Sequence, residues 1–197
     1  YRTTTDINRI NRGDYVPNKP KKSNREYNAT VIAANEVKQG LVWRDGKVAI
    51  NVDIRAAYPS FLGIIFKLEG LDSAKWNENM KANDFYATMR SYAMQYSSVW
   101  GELSRDEWKI EFNRFLNSKI KTKCSKSWNM MRNFIDYFSE GTSICQWICT
   151  KESIWKELED IEVRLMKNVE AFAATNNLRY VHQHDGFIST EHDVDIL

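Results

Sequence analysis

Two aspartates, Asp53 and Asp185, have the positions best suited to metal-assisted chemistry. Each lies beside apolar residues where a predicted strand meets a turn, and not on a polar helix. Two such carboxylates can hold a pair of Mg²⁺ ions, or Mn²⁺ in their place, about 3.5–4 Å apart, with phosphate oxygens and water as further ligands. The carbonyl of Ile54 is an additional candidate ligand. The alternative is structural, with Asp53 capping the following helix and Asp185 forming an Asp-Gly turn.

Two predicted β-hairpins must position these aspartates. Residues 41–44 and 47–52 face each other across an Asp-Gly pair, which is a strong hairpin signal, and the second strand ends on Asp53. A second hairpin is predicted from strands over 178–183 and 187–189, with Asp185 in the tight turn between them. If both hairpins join one antiparallel sheet, the two aspartates meet although most of the chain separates them.

The chain between the hairpins is predicted to be mostly helical, because no proline follows Pro59 and apolar residues recur at spacings of three and four. The sequence therefore predicts an α+β fold: a small antiparallel β-sheet, a mostly helical insertion, and a long helix behind the sheet. The helices are expected at residues 59–68, 80–98, 104–121, 125–138 and 143–176.

Four segments follow from this pattern. An irregular basic arm precedes the first part of the sheet domain; the helical insertion comes next, and then the second part of the sheet domain with the long helix. The expected bounds of these segments are 1–27, 28–68, 69–142 and 143–197.

Composition excludes some classes of protein. Apolar residues make up 43% of the 197 residues, enough for a core, and no apolar run approaches the length of a membrane span. Three cysteines are too few for a disulfide framework and predict a reducing, intracellular setting. Cys145 and Cys149, four residues apart, are predicted to pack in the core in preference to binding zinc.

The formal net charge is only +2, but positive charge is concentrated in one stretch. Residues 113–132 contain no acidic side chain, which is typical either of a solvated helix face or, with Phe115 and Trp128 interleaved, of a surface that follows nucleic-acid phosphates. The basic residues of this stretch are Arg114, Lys119, Lys121, Lys123, Lys126 and Arg132.

The residues from Asp53 to Ser60 resemble motif A of family B DNA polymerases, whose pattern is Asp-x-x-Ser-Leu-Tyr-Pro-Ser. Ala56-Ala57 replaces the Ser-Leu pair. The resemblance implies that Tyr58 screens the sugar of the incoming nucleotide and favours deoxynucleotides, since an aromatic face leaves no room for a 2′-hydroxyl. The alternative is that Tyr58 packs in the core.

His184-Asp185-Gly186 is similar to motif C of family A DNA polymerases and of phage-type single-subunit RNA polymerases, in which a His-Asp pair lies at a hairpin turn. Gly186 stands where family A has Glu and the RNA polymerases often have Ser. The resemblance implies that Asp185 is the second metal-binding aspartate and that His184 packs near the primer end.

The segment from Arg105 to Phe112 resembles the fingers helix of family A, Arg-x3-Lys-x3-Phe, with Phe112 one residue early. The resemblance implies that Arg105 and Lys109 hold the triphosphate and that Phe112 supports the base. The alternative is an ordinary exposed charge pair. Gln146 resembles the family A glutamine that touches the primer–template, and Lys119, Lys121, Lys123 and Lys126 are candidate nucleic-acid contacts.

Together these resemblances imply the palm and fingers of a template-directed polymerase of phage or mobile-element type, acting on nucleic acid and nucleoside triphosphates. DNA synthesis is favoured, with RNA synthesis as the alternative. The chain has no evident thumb, which another chain or segment is expected to supply. Two further classes stay open: a metal-dependent nuclease that uses Glu191, Asp193 or Asp195 as extra ligands, and a non-catalytic nucleic-acid-binding module.

Overall fold

Eight helices and three strands make up the part of the chain that the computed structural model describes: residues 8, 10, 12, 38, 40–96, 102–119, 126–183 and 185–197. The predicted α+β class is confirmed. The strands are β1 (Ile50–Asp53), β2 (Val181–His182) and β3 (Gly186–Ser189). The helices are α1 (Ala57–Leu68), α2 (Ala74–Ala82), α3 (Phe85–Tyr96), α4 (Arg105–Leu116), α5 (Lys126–Ser139), α6 (Ser143–Thr150), α7 (Trp155–Thr175) and α8 (Glu191–Val194).

Two compact units divide the described residues. Those up to Ile54 and from Glu159 onward form one, which we call the sheet unit, and Arg55–Leu158 form the other, the helical unit. In the sheet unit the strand order is β1-β3-β2, and both pairings are antiparallel. The central strand β3 therefore joins two segments that are remote in sequence.

The predicted hairpin across Asp45-Gly46 is present, but its pairing is short. Val42 and Val48 form a single bridge, and the Trp43 N–H donates to Lys47 O at 2.8 Å around a three-residue turn. Gly46 closes that turn at φ 85°, a left-handed conformation that glycine adopts without steric cost. Residues 50–53 pair with β3 and not with the first arm of the hairpin.

The helical unit is built around aromatic side chains. Phe85 of α3 is fully buried, and its ring lies within 5.5 Å of four other buried rings from α2, α4 and α5. The buried Trp76 indole donates to Pro59 O at 3.0 Å, which satisfies its one polar group and ties α2 to α1. The four rings around Phe85 are Trp76, Phe112, Phe134 and Phe138.

Two predicted helices are interrupted, and a third, predicted over 104–121, ends at Leu116. The segment 80–98 contains a break at Asn83-Asp84, where Asn83 is extended (φ −129°, ψ 156°) and Asp84 caps α3. The segment 143–176 is divided into α6 and α7 by the extended Lys151. The spacing between successive apolar residues of this segment widens to six between Ile148 and Ile154. The apolar residues before and after this gap therefore do not lie on one face of a single continuous helix.

The second hairpin is shorter than predicted, and a helix follows it. The predicted strand 178–183 is reduced to Val181–His182, because only these two residues pair with β3 as strand. The short helix α8, which was not predicted, begins after Thr190, whose hydroxyl accepts a hydrogen bond from the Asp193 N–H at 3.3 Å. Thr190 is a favourable N-cap, so the sequence carried a signal for this turn.

Candidate active site

The sheet brings the backbones of the two candidate aspartates together. Asp53 is the last residue of β1 and lies directly opposite Gly186, the first residue of β3. One residue further along each chain, the Ile54 N–H donates to Asp185 O at 2.7 Å. The pairing of β1 with β3 thus ends with Asp53-Ile54 beside Asp185-Gly186, although the two pairs are remote in sequence.

The turn that carries Asp185 is closed tightly. The Gln183 N–H donates to Gly186 O at 3.0 Å, which closes the β2–β3 hairpin. Asp185 lies directly before Gly186 and is partly exposed. His184, the predicted contact for the primer end, lies outside the described residues.

Gly186 is the residue that allows this close approach. A Cβ built on Gly186 would lie 2.1 Å from Val52 O, 2.8 Å from Asp53 Oδ1 and 3.1 Å from Asp53 Cα. Val52 O and Asp53 Cα belong to the backbone and cannot move without moving β1, whereas the Asp53 carboxylate would have to rotate away from its present position. Glycine in a strand often marks a position where another backbone approaches closely, and here that backbone is the one bearing Asp53.

The two faces of β1 differ in exposure. Ile50 and Val52 are partly buried, whereas Asn51 and Asp53 point to the other face and are exposed. Carboxylate oxygens at the end of an exposed strand face are suitable ligands for a hard cation. The donor set of Asp53, Asp185 and backbone carbonyls therefore has the oxygen chemistry that Mg²⁺ prefers.

Arg179 and Asp193 brace the β2–β3 hairpin. The Arg179 side chain binds the Asp45 carboxylate at 2.7 Å, and the Arg179 N–H donates to Asp193 Oδ2 at 3.1 Å. The hydroxyl of Thr190 donates to the same oxygen at 2.8 Å. The bond from Thr190 is the main reason that the pKa of Asp193 lies below the usual value for an aspartate. This carboxylate, a candidate extra ligand in the nuclease alternative, already stabilises the hairpin by accepting these two hydrogen bonds.

An aromatic pair ties the same hairpin to the long helix. The rings of Tyr180 and Phe187 lie 5.5 Å apart, and the Tyr180 hydroxyl donates to Met166 O of α7 at 3.3 Å. Burial raises the pKa of the Tyr180 phenol well above its ordinary value, so this hydroxyl remains a donor. Both residues act in packing, and α7 is the long helix expected behind the sheet.

In the helical unit, a capping box fixes the start of α4. Ser104 Oγ accepts from the Glu107 N–H, and Glu107 Oε2 accepts from the Ser104 N–H at 2.7 Å. Arg105 and Lys109 follow, one helical turn apart on an exposed face, as the candidate triphosphate ligands require. Arg105, however, is engaged with Asp84, to which its guanidinium donates at 2.9 and 3.0 Å.

Phe112 occupies a different environment from the one expected for a residue that supports a base. It has no exposed surface, and its ring packs 4.9 Å from Phe85. The same holds for Phe115, which is fully buried with its ring 6.0 Å from Trp128, so it is not part of a phosphate-following surface. Tyr58, at the second position of α1, is partly exposed.

The remaining candidate nucleic-acid contacts are only partly described. Gln146 on α6 and Lys119 after α4 are exposed. Lys121 and Lys123 lie outside the described residues, as does the side chain of Lys126, the first residue of α5.

Within the described ranges, no three His, Cys, Asp or Glu side chains are grouped so that they could hold a metal ion. Asp53 and Asp185 therefore do not belong to a metal-binding group of three or more such side chains in that part of the chain. Cys145 is buried, which raises its pKa and keeps it a neutral thiol, as packing in the core requires. No helix in the same ranges is both long and apolar enough to cross a bilayer.

A scan against protein-family models, a search of curated proteins and a search of solved structures each found no match. The chain is thus characterised by its own fold: an α+β protein in which a three-stranded antiparallel sheet joins two aspartate-bearing segments, alongside a helical unit with an aromatic core.

Proposed function

We propose that this chain is the catalytic palm-and-fingers part of a template-directed nucleotidyltransferase that joins deoxynucleotides by two-metal phosphoryl transfer. The observation that carries the proposal is the approach of Asp53 and Asp185 at the end of the β1–β3 pairing, with the Ile54 N–H 2.7 Å from Asp185 O. Phosphoryl transfer needs positioning and charge neutralisation more than covalent chemistry, and two carboxylates at one sheet edge supply the means for both.

In the sheet unit, Asp53, Asp185 and the carbonyl of Ile54 are the groups that would hold two Mg²⁺ ions. When bound, such ions activate the attacking 3′-oxygen and stabilise the leaving pyrophosphate. Gly186 keeps Asp53 close to the Asp185 turn, and the bonds of Asp193 to Arg179 and Thr190 hold the hairpin that bears Asp185. Preorganisation of this kind lowers the barrier by fixing the reacting groups before the chemical step.

In the helical unit, Arg105 and Lys109 are proposed to bind the triphosphate, and Tyr58 to exclude a 2′-hydroxyl. Their exposure supports these roles, whereas Phe112 is left out because it is buried. The partners are a nucleic-acid template with its primer and nucleoside triphosphates, which are found inside cells. A separate chain or segment is proposed to grip the duplex.

The nuclease alternative is less well supported. It requires a third acidic ligand near the aspartate pair, and no such group occurs among the described residues. The carboxylate of Asp193 already accepts hydrogen bonds from the Arg179 N–H and the Thr190 hydroxyl. These bonds explain an aspartate at this position without a role in metal binding.

Primer extension with labelled dNTPs or rNTPs, with and without Mg²⁺, tests the proposal. We expect Mg²⁺-dependent incorporation that prefers dNTPs and falls about 1,000-fold or more in Asp53→Asn and in Asp185→Asn, since each substitution removes a charge that offsets several kcal/mol. Asp72→Asn is the matched control, because the exposed Asp72 accepts a turn hydrogen bond that asparagine can also accept.

Three outcomes would contradict the proposed function. Incorporation that survives both aspartate substitutions would remove the roles of these residues. Degradation of nucleic acid without incorporation would support a nuclease. Salt-sensitive binding with no Mg²⁺-dependent reaction would indicate a binding module.

A further inference from the structure

Asp84 in the helical unit caps a helix and binds an arginine with the same carboxylate. Oδ1 accepts the Ala87 N–H at 2.9 Å and so caps the start of α3, and it also accepts from Arg105 Nε at 3.2 Å. Oδ2 accepts from two nitrogens of Arg105, Nη2 at 2.9 Å and Nε at 3.0 Å. An asparagine at this position could keep the cap through its Oδ1 while removing the charge of the ion pair.

A second arginine stands beside the same carboxylate. The Arg55 guanidinium donates to the carbonyl of Asn83, the residue before Asp84. Partial burial would raise the pKa of Asp84, but the bonds from Arg105 and Ala87 and the positive charges of Arg105 and Arg55 outweigh it and lower that pKa. One guanidinium thus binds the Asp84 carboxylate, and a second binds the backbone carbonyl of the residue before it.

Arg105 is held in place but remains accessible. Its guanidinium carbon lies 5.6 Å from the ring centroid of the buried Tyr86, a cation–π contact that restricts its orientation. The side chains of Arg105 and Asp84 are 45% and 33% exposed, so a solvent-borne anion can reach the pair.

We propose that Arg55 and Arg105 form a polyphosphate-binding site that the Asp84 carboxylate occupies when no ligand is bound. The fork of a guanidinium pairs with two oxygens of a phosphate in the same way as with a carboxylate, which makes Asp84 an internal substitute for the ligand. The ligand class is a di- or triphosphate group. That this group belongs to a nucleotide rests on the proposed function.

Exchange of Asp84 for such a ligand is energetically accessible. A partly exposed ion pair contributes little to stability, because solvent screens both charges. A triphosphate carries several negative charges and can bind both arginines at once, whereas Asp84 has a single charge and binds Arg105 alone through side-chain hydrogen bonds. After exchange, Asp84 would still cap α3 through Oδ1, so the fold would not need to rearrange.

Binding of inorganic tripolyphosphate to the full chain tests this site, measured by calorimetry at low salt without divalent cations or nucleic acid. We expect Asp84→Asn to bind about fivefold more tightly than the unmodified chain, since its competitor for Arg105 has lost its charge. Arg105→Gln and Arg55→Gln should each bind about fivefold or more weakly.

The control is Glu111→Gln, which releases Arg114 on the same helix from its partner as Asp84→Asn releases Arg105. Among the described contacts, no second arginine lies beside the Arg114–Glu111 pair. The Glu111→Gln variant should therefore bind tripolyphosphate with the same affinity as the unmodified chain. Asp84→Ser, which also retains a capping oxygen, provides a second way to free Arg105 if the asparagine variant folds poorly.

Unchanged or weaker binding by both folded Asp84 variants would overturn the inference, and so would unchanged binding after either arginine substitution. These outcomes are independent of catalysis. If nucleotides are incorporated but Asp84→Asn has no effect on tripolyphosphate, only this inference fails. If tripolyphosphate responds as expected but no nucleotide is incorporated, the site stands and the proposed function fails.

Discussion

Asp53 lies directly opposite Gly186 in the antiparallel pairing of β1 with β3, and a Cβ on Gly186 would come within 2.8 Å of the Asp53 carboxylate. The absence of a side chain at position 186 is therefore a condition for the position of Asp53. The close contact with β1 is a steric reason for glycine at position 186. In the family A motif that this segment resembles, a glutamate follows the aspartate.

Gly186→Ala should destabilise the sheet unit by about 1–3 kcal/mol, because the added methyl group must push β1 away from β3. Nucleotide incorporation should fall along with stability, since the same displacement moves Asp53. Urea unfolding and primer extension measure the two effects. Gly141→Ala is the control: nothing lies within 4 Å of its Cβ position, so stability should change by less than about 0.5 kcal/mol. Equal effects of both substitutions would show that the contact of Gly186 with β1 is unimportant.

The sequence predicts which segments carry the two aspartates but not the register that joins them. Apolar runs ending at turns identify both hairpins locally. The pairing of Asp53 with Gly186 depends on contacts between distant segments, and no local pattern specifies it. The break between α6 and α7 was missed for a related reason. After Ile154 the apolar residues again recur at spacings of three and four. The wider gap between Ile148 and Ile154 is the only sequence signal of the break.

Burial in the helical unit was equally hard to predict. Phe112 was expected to contact a nucleotide because of its place in the motif, yet it packs against Phe85 from a helix of the same unit. A single helix with aromatics on one side and charges on the other does not reveal which aromatics are covered. The pairing of Arg105 with Asp84 is also non-local and has no signature in sequence.

Iron-directed cleavage can test the metal site without relying on activity. Fe²⁺ that replaces Mg²⁺ at an Asp53–Asp185 site would, with ascorbate and peroxide, cut the backbone near both residues, because the sheet brings them together. We expect paired cuts close to positions 53 and 185 that excess Mg²⁺ suppresses. Asp53→Asn should abolish both cuts, including the remote one, whereas Asp72→Asn should abolish neither. Independent cutting at position 185 in Asp53→Asn would argue against a shared site.

Asp193→Asn separates the structural role of this carboxylate from the role that a nuclease would require. The folded pKa of Asp193 is lowered, so its stabilising effect is present above the unfolded pKa of about 3.9 and is lost as the pH falls through the lower folded value. The variant should therefore have a lower melting temperature at pH 7, with the difference closing in acid. Specific activity of the folded variant should be retained. Complete loss of activity at unchanged stability would instead make Asp193 a catalytic ligand.

Asp136→Asn should have the opposite sign. Burial raises the pKa of Asp136, against a smaller lowering effect of its hydrogen bond with Cys145, and its Oδ1 is buried without a hydrogen-bond partner. Because the folded pKa exceeds the unfolded one, the protonated form stabilises the fold below about pH 3.9, and that stabilisation is lost as the pH rises through the folded pKa.

Asparagine at position 136 carries no charge at any pH. It therefore lacks the desolvation cost that destabilises the ionised carboxylate near neutral pH. We expect the melting temperature of Asp136→Asn to exceed that of the unmodified chain at pH 7, because the substitution removes a charge that partial burial disfavours. The gap should close as the pH falls below about 3.9, where the aspartate is protonated in the folded and the unfolded state. Thermal melts between about pH 3 and 8 measure this, and the exposed Asp72→Asn serves as the control that should show no such gap. A variant that is less stable at pH 7 would mean that the ionised carboxylate has a favourable partner, and the buried oxygen would then need a different explanation.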